Sequence, residues 1–194
     1  MSAIYRVRSA LLAAGIGFAA IAPATANDIF LKIPGVTGPV VANGFQGDIQ
    51  LSAYSQEFTD PATVSAFGGG AGRGGGGGRT TCGAISIAKL VDSTSPNFLQ
   101  FVTRGETINT ATIYFVSNAE STAASAPYTI ALTNVRLTSI TQGDAVGNSA
   151  GLGITENISM IAEKFQFTFR TVNADGAPGK VETYGWDCAT NRPF

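Results

Sequence analysis

Few residues in this chain are of the types that enzymes use for chemistry. Histidine is absent from all 194 residues, which excludes Ser/His and Cys/His nucleophile pairs and the commonest nitrogen ligand for metals. The 13 acidic residues are scattered singly, so no two carboxylates are placed together for general acid and base catalysis. The sequence therefore predicts no catalytic residue, no cofactor and no metal site.

The only two thiols belong to Cys82 and Cys188. Neither cysteine is part of a C-x-x-C motif or lies beside a third ligand, which disfavours redox catalysis and metal binding. In an oxidising compartment, a lone pair of cysteines in one domain favours a disulfide over free thiols. We therefore expect Cys82 and Cys188 to be bonded to each other, with Cα atoms about 5–6 Å apart. The bond would close a loop of about one hundred residues and stabilise the fold by roughly 4–5 kcal/mol in the chain-entropy model.

The amino terminus has the three regions of a secretory signal peptide. Arg6 and Arg8 form a short positive region, residues 10–22 form an apolar stretch too short to span a bilayer comfortably, and Ala24-Thr25-Ala26 is a small-residue cleavage site. Two glycines and a proline interrupt the apolar stretch, which disfavours a membrane anchor. We expect residues 1–26 to be removed and residues 27–194 to form one domain. Its predicted location is periplasmic or extracellular, with no membrane contact after cleavage.

The mature domain has a small negative net charge. Two of the 12 basic residues and none of the 13 acidic ones lie in residues 1–26, which leaves 10 against 13 and a formal net charge of −3. Because no basic excess exists, the sequence predicts no nucleic-acid partner. Charged residues make up only 13% of the chain, so little like-charge repulsion opposes self-association. The same composition would also suit an adhesin.

A glycine-rich segment precedes Cys82. Nine of the eleven residues from Gly68 to Gly78 are glycine, so the segment cannot pack a core and is predicted to be an exposed loop. Residues 70–75 satisfy G-x-G-x-x-G, but this nucleotide motif requires a following helix, whereas a strand pattern follows here. The single Arg73-Gly-Gly sequence has no interleaved aromatic residues, which disfavours an RNA-binding segment.

The dominant hydrophobic period of the mature domain is two, which is typical of half-buried strands. Between Met160 and Phe165 the apolar phase slips by one residue, which predicts a bulge in one long strand. Several alternating strands with glycine-rich connections predict an antiparallel sandwich or barrel. The alternating segments are Ile29–Ile33, Ile49–Ala53, Ile85–Ile87, Ile113–Phe115, Ile130–Leu132 and Phe165–Phe169.

One segment has helical spacing instead. Ser95 is a suitable N-cap, Pro96 suits the first helical position, and Gly105 suits the residue after the last turn. We expect a short amphipathic helix whose aromatic face packs on the core rather than lining a ligand pocket. Its apolar residues are Phe98, Leu99, Phe101 and Val102.

The order of these features resembles the Hcp family, the tube proteins of type VI secretion systems. The landmarks are Asp28–Gly35, Gln50–Gln56 before the glycine-rich loop, Leu90–Pro96 before the helix, Gly105–Thr112, Ile158–Thr171 and Gly185–Asp187. The resemblance covers essentially all of residues 27–194. It implies a mainly β fold, a compact antiparallel β-barrel of two sheets with one short flanking helix. It also implies assembly into hexameric rings that stack into a hollow tube, with room for a protein cargo or effector in the lumen.

The predicted signal peptide departs from this family. Hcp tubes assemble in the cytoplasm from subunits without a signal peptide, whereas this chain is predicted to be exported and disulfide-bonded. Three interpretations are therefore open. The chain is an exported tube or ring subunit, a secreted β-barrel that binds or adheres as a monomer or single ring, or an ordinary type VI tube subunit whose amino terminus only mimics a signal peptide.

The glycine-rich hairpin Ala66–Arg79 is predicted to act in assembly. Ordering it in a monomer would cost about 1–2 kcal/mol per residue with little burial in return. Against a neighbouring ring, glycine lets the backbone lie flat and pair its N–H and C=O groups. We expect Arg73 and Arg79 to donate hydrogen bonds to carboxylate or carbonyl acceptors on that neighbouring ring. The predicted assembly residues are Ala66, Gly68, Gly69, Gly70, Arg73, Gly78 and Arg79.

Overall fold

The computed structural model describes residues 28–59, 79–116, 122–124, 126–144, 153–173 and 178–194. The predicted signal peptide and most of the glycine-rich loop lie outside these residues. Within them the chain forms strands and one short helix, so the prediction of a mainly β fold with one helix is confirmed.

The elements follow the chain in simple order. The strands are β1 (Asp28–Lys32), β2 (Ile49–Leu51), β3 (Ala53–Ser55), β4 (Phe58–Thr59), β5 (Thr81–Cys82), β6 (Ile85–Leu90), β7 (Thr107–Val116), β8 (Tyr128–Asp144), β9 (Ile154–Val172), β10 (Pro178–Asp187) and β11 (Arg192–Pro193). The helix α1 (Ser95–Arg104) lies between β6 and β7.

All strand pairs are antiparallel, in one nine-stranded sheet and one two-stranded sheet. The large sheet has the order β11-β10-β9-β8-β7-β1-β2, and β6 pairs with both β3 and β9. The small sheet is the β4–β5 pair. Two antiparallel sheets are therefore confirmed, and their closure into a barrel stays a prediction.

The main core lies on one face of the large sheet, since residues that pair directly across strands share a face. A smaller buried cluster of Phe30, Val40, Phe45 and Val116 lies at the opposite face of β1 and β7. On the main core face, one row of paired residues runs from Leu31 through Ile113 and Ile130 to Phe167 and then to Tyr184. The first three side chains are buried, whereas Tyr184 is 54% exposed. The row thus begins in the core and ends on an open surface at β10.

The two longest strands, β8 and β9, contain a bulge, but it lies in β8 and not in β9. Leu137 pairs with Met160 and Ser139 with Ser159, so the extra residue, Thr138, lies in β8. Asn134 of β8 also has a positive φ of 52°. The prediction of a bulge in β9 was therefore wrong. The slip in the β9 sequence lies elsewhere, between Ala162 and Phe165, which pair with Val135 and Leu132 of β8 without a register shift. Both strands change their inward face there, beside Asn134 and its positive φ.

Helix α1 packs on the core as predicted. Phe98 is fully buried, and Gly105 ends the helix with a φ of 63° and an N–H that bonds the carbonyls of Phe101 and Val102. The N-cap is Thr94 rather than Ser95. Ser95 is the first helical residue, because its hydroxyl is used in a buried polar cluster.

Candidate functional site

The structure joins Cys82 and Cys188 in a disulfide with a Cα–Cα distance of 6.1 Å across 106 residues of sequence. Cys82 ends β5 and pairs with Phe58 of β4, and Cys188 directly follows β10. Because β4 and β5 belong to a separate sheet, the disulfide fastens the β4–β5 hairpin to the end of β10.

Noncovalent contacts add to this attachment. The Phe58 ring packs edge-on against Phe165 and Phe167 of β9, with centroid distances of 5.2 and 5.7 Å. The Arg79 Nη2 donates to the Ala189 carbonyl at 2.7 Å. The prediction placed the acceptor of Arg79 on a neighbouring subunit, whereas this carbonyl belongs to the same chain. The disulfide explains the difference, since it brings residues 188–189 beside the hairpin.

The other predicted assembly residues lie outside the part of the chain that the structure describes. These residues are Ala66, Gly68, Gly69, Gly70, Arg73 and Gly78. The described residues fix where the segment leaves and re-enters the fold, because Thr59 and Thr81 are paired partners. The described chain on either side of residues 60–78 therefore lies at the β4–β5 hairpin.

An open cavity of about 490 Å³, here called the aromatic cavity, lies where the β8, β9 and β10 face leaves the core. The Phe58 ring forms part of one wall, and Tyr184 and Trp186 are stacked 6.4 Å apart on another. The lining residues are Tyr54, Gln56, Phe58, Thr80, Tyr128, Ile130, Phe167, Tyr184 and Trp186. None of these side chains is charged, and most of the lining surface is aromatic.

Two of the tyrosine hydroxyls at this cavity, those of Tyr54 and Tyr128, resist ionisation because they are partly buried. Burial raises the pKa of Tyr54 far above its ordinary value, with a smaller contribution from Tyr128. Burial also raises the pKa of Tyr128. The Tyr54 hydroxyl donates to Oε1 of Gln56 at 2.7 Å. Tyr54 and Tyr128 therefore contribute uncharged aromatic surface to the cavity.

A second cluster, the buried polar cluster, was not predicted from the sequence. Lys89 and Glu156 are directly paired on β6 and β9, both side chains are fully buried, and Lys89 Nζ lies 2.9 Å from Glu156 Oε2. The Ser95 hydroxyl donates to the same oxygen at 2.8 Å, and Gln142 Nε2 donates to the other oxygen at 2.6 Å. Asp92 adds a carboxylate 3.1 Å from the ammonium.

The hydrogen bonds in this cluster keep Glu156 ionised. Burial alone would raise the pKa of Glu156, but hydrogen bonds from Lys89, Gln142 and Ser95 outweigh it and hold the pKa below its ordinary value. Because both Lys89 and Glu156 are enclosed, a substrate in solvent cannot reach them. The cluster ties the first turn of α1 to β6 and β9.

One signal in the sequence could have revealed this cluster. Lys89 continues the inward phase of Ile85 and Ile87, and Glu156 precedes Ile158 and Met160 in the same phase. Opposite charges at inward positions of two strands are the pattern that a buried ion pair requires.

The described residues contain no group of three His, Cys, Asp or Glu side chains placed to hold a metal ion. Among the same residues, no helix has the length and apolarity needed to cross a membrane.

The fold and these sites define an antiparallel β protein with one packed helix and a disulfide-anchored hairpin. Residues 30–175 match the family model described as "Type VI secretion system effector, Hcp". The chain therefore belongs to the Hcp family, which confirms the resemblance in its sequence. No curated protein matches the chain.

Solved structures share the fold at low sequence identity. A structure titled as that of a type six secretion system protein has a TM-score of 0.75 at 17% identity and covers 87% of this chain and 100% of its own. Hcp1 from Salmonella typhimurium has a TM-score of 0.64 at 14% identity, covering 87% and 99%. A type VI secretion system effector from Yersinia pestis has a TM-score of 0.60 at 19% identity, covering 82% and 99%. At these identities the likeness establishes the fold alone.

Proposed function

We propose that this protein is an Hcp-type structural subunit that assembles into hexameric rings and stacks into a hollow tube. The observation that carries the proposal is the Hcp family match over residues 30–175, nearly the whole predicted mature domain. The protein would act by assembly, with a protein cargo or effector in the lumen, and without enzymatic activity or cofactor.

We further propose that the large sheet closes into a barrel. β2 pairs with β1, whereas β3, one residue further along, pairs with β6. The intervening Ser52 donates its N–H to the Ala88 carbonyl of β6 at 2.8 Å. This bond supports treating β2 and β3 as one bent strand that joins the two ends of the sheet.

The outer edge of β10 supports lateral association between subunits. In the described residues, β10 from Pro178 to Tyr184 has a strand partner only on the β9 side. Val181 is 43% exposed and Phe169 of β9 is 51% exposed beside this edge. An unpaired edge with exposed apolar neighbours favours pairing with another chain.

Export is proposed from two features. The sequence has the signal peptide pattern in residues 1–26, and the chain contains one disulfide, a bond that persists in oxidising compartments. The proposed location is therefore periplasmic or extracellular, with assembly after cleavage.

Electron microscopy of the purified oxidised mature chain, residues 27–194, tests the proposal. Sixfold rings and stacked tubes are expected. A species that stays monomeric by light scattering at high concentration would contradict it. A deletion of Gly69–Gly78 should keep the fold by circular dichroism and abolish tubes while sparing rings. If this variant forms normal tubes, the loop only connects two strands and is not needed for stacking.

A pair of variants tests the β10 edge. Gly185 accepts a hydrogen bond from Phe194 on the outer edge, so alternation places the N–H of Thr183 on that edge. Thr183→Pro removes this outward N–H and breaks no hydrogen bond to β9, so it should prevent ring formation if rings use this edge. Thr183→Val keeps the N–H and is the matched control. If Thr183→Pro forms as many rings as Thr183→Val, the outer edge of β10 is not the contact between subunits.

One observation favours a second function, a secreted binding module acting as a monomer or single ring. The aromatic cavity is open, uncharged and of ligand size. A monomeric mature chain that binds a ligand there, with no rings or tubes, would support this alternative.

A further inference from the structure

We infer that the Cys82–Cys188 disulfide is a redox latch that sets the position of the β4–β5 hairpin, so that the subunit becomes competent for assembly only after oxidation. The effect on assembly rests on the proposed function. The effect on the hairpin does not, because it follows from contacts within one chain.

The β4–β5 hairpin extends the β3–β6 pair of the large sheet, since two residues separate β3 from β4 and β5 from β6. The disulfide is what fastens this extension to the end of β10. β4 and β5 pair only with each other among the described strands, through two residue pairs. One further backbone bond extends the hairpin, from the Gly83 N–H to the Glu57 carbonyl at 2.8 Å. A two-stranded hairpin of this size is not stable on its own in water, so its order must come from attachment to the large sheet.

The noncovalent attachments to the large sheet are few and partly solvated. They are the hydrogen bond of Arg79 to Ala189 and the ring contacts of Phe58. Arg79 is exposed, and Phe58 is 39% exposed. Water competes for the hydrogen bond, and the Phe58 ring is only half covered. Without the disulfide, these contacts leave β4 and β5 free to move away from β9 and β10, while the β3–β6 pair from which they extend and the core of the large sheet stay folded.

The hairpin is also the anchor of the glycine-rich segment. Thr59 and Thr81 are paired partners at the two points where the segment meets the described fold. Detachment of the hairpin therefore releases both ends of a segment that is predicted to contact the next ring. It also removes Phe58 from the wall of the aromatic cavity.

The chemistry is a balanced thiol–disulfide exchange. The thiolate of a low-molecular-weight thiol attacks one sulfur of the Cys82–Cys188 bond, which forms a mixed disulfide with that cysteine and releases the other cysteine as a thiol. A second reductant thiolate then attacks the mixed disulfide and releases the remaining cysteine thiol. The protein gains two electrons and two protons as two thiols, and the reductant forms one disulfide. In the reverse direction, a small disulfide oxidant accepts the two electrons after export. Reduced chains in a reducing compartment would therefore keep a loose hairpin, and oxidised chains would lock it.

Hydrogen exchange on the mature full-length domain tests the latch. After reduction by dithiothreitol, the Gly83 amide should exchange at least tenfold faster and should be far less protected than the Ile113 amide, whose exchange reports global unfolding. The Cys82→Ala/Cys188→Ala variant should match the reduced protein and should not respond to dithiothreitol. Arg79→Met, which keeps the disulfide, is the matched control and should change the Gly83 rate far less. Trp186, the single tryptophan of the chain, lines the cavity, and its emission should shift to the red on reduction.

Two results would overturn the latch. Unchanged exchange at Gly83 after reduction would show that the hairpin is held without the disulfide. Equal protection of Gly83 and Ile113 in the reduced protein would show that Gly83 exchanges only by global unfolding, without local release of the hairpin. Assembly is read separately by electron microscopy. Rings and tubes from oxidised protein and only unstacked species from reduced protein support the latch, whereas identical tubes in both states refute control of assembly. If oxidised wild-type protein forms no assembly, the proposed function fails and exchange at Gly83 still decides the hairpin.

Discussion

Replacing Lys89 alone should destabilise the protein more than removing the whole buried ion pair. Lys89 Nζ lies 2.9 Å from Glu156 Oε2 and donates to the Leu90 carbonyl at 2.8 Å. Both charged side chains are fully buried. Removing one partner of such a pair costs about 3–5 kcal/mol, because the other charge is left uncompensated. In Lys89→Met, Glu156 keeps its hydrogen bonds from Ser95 and Gln142, so we expect a loss of about 3 kcal/mol.

The double variant Lys89→Met/Glu156→Leu is the control for this prediction. It removes both charges and keeps similar side-chain volumes, so its stability should lie within about 2 kcal/mol of wild type. Urea unfolding followed by circular dichroism at pH 7 gives both free energies, and an unchanged m-value shows that the folded state is comparable. The reasoning fails if the double variant is less stable than Lys89→Met, or if the single change costs under about 1 kcal/mol.

Three further predictions follow from the same structure. The pKa of Glu156 is lowered in the folded state. Ionised Glu156 therefore stabilises the fold above its unfolded pKa of about 4.3, and this stabilisation is lost as the pH falls through the folded pKa. The difference in unfolding free energy between wild type and Glu156→Gln, measured by urea unfolding, should shrink below about pH 4. Replacing both Cys82 and Cys188 by alanine opens a loop of 106 residues and should cost up to about 5 kcal/mol in urea unfolding; two free thiols in native protein by mass spectrometry would contradict the premise. Amino-terminal sequencing of cell-derived protein should begin at Asn27, and retention of Met1 would restore the cytoplasmic tube interpretation.

Much of the fold could be predicted from the sequence because the apolar pattern is local. Alternation at Ile85 and Ile87, or at Ile130 and Leu132, identifies strands whose inward residues are buried in the structure. The glycine and proline around α1 likewise specify a turn geometry that few other residues adopt. The family landmarks rest on the same local segments.

The irregularities required the tertiary structure. The apolar phase of β9 slips, yet the extra residue is Thr138 of β8. The β9 slip falls between Ala162 and Phe165, where β8 also changes its inward face between Leu132 and Val135 without an extra residue. Only the register of the two strands separates this change of face from an insertion. Ser95 has good N-cap chemistry, but its hydroxyl bonds to Glu156, 61 residues away, and Thr94 takes the cap position.

The sequence by itself determined the composition of the sites but not their partners. The absence of histidine and the pair of cysteines restricted the chemistry before any fold was known. Only the tertiary structure brought Lys89 to Glu156, placed Arg79 on Ala189 of its own chain, and collected Phe58, Phe167 and Trp186 around one cavity. Strand alternation is set by neighbouring residues and can be read along the chain, whereas these contacts join residues more than 60 positions apart and depend on strand register.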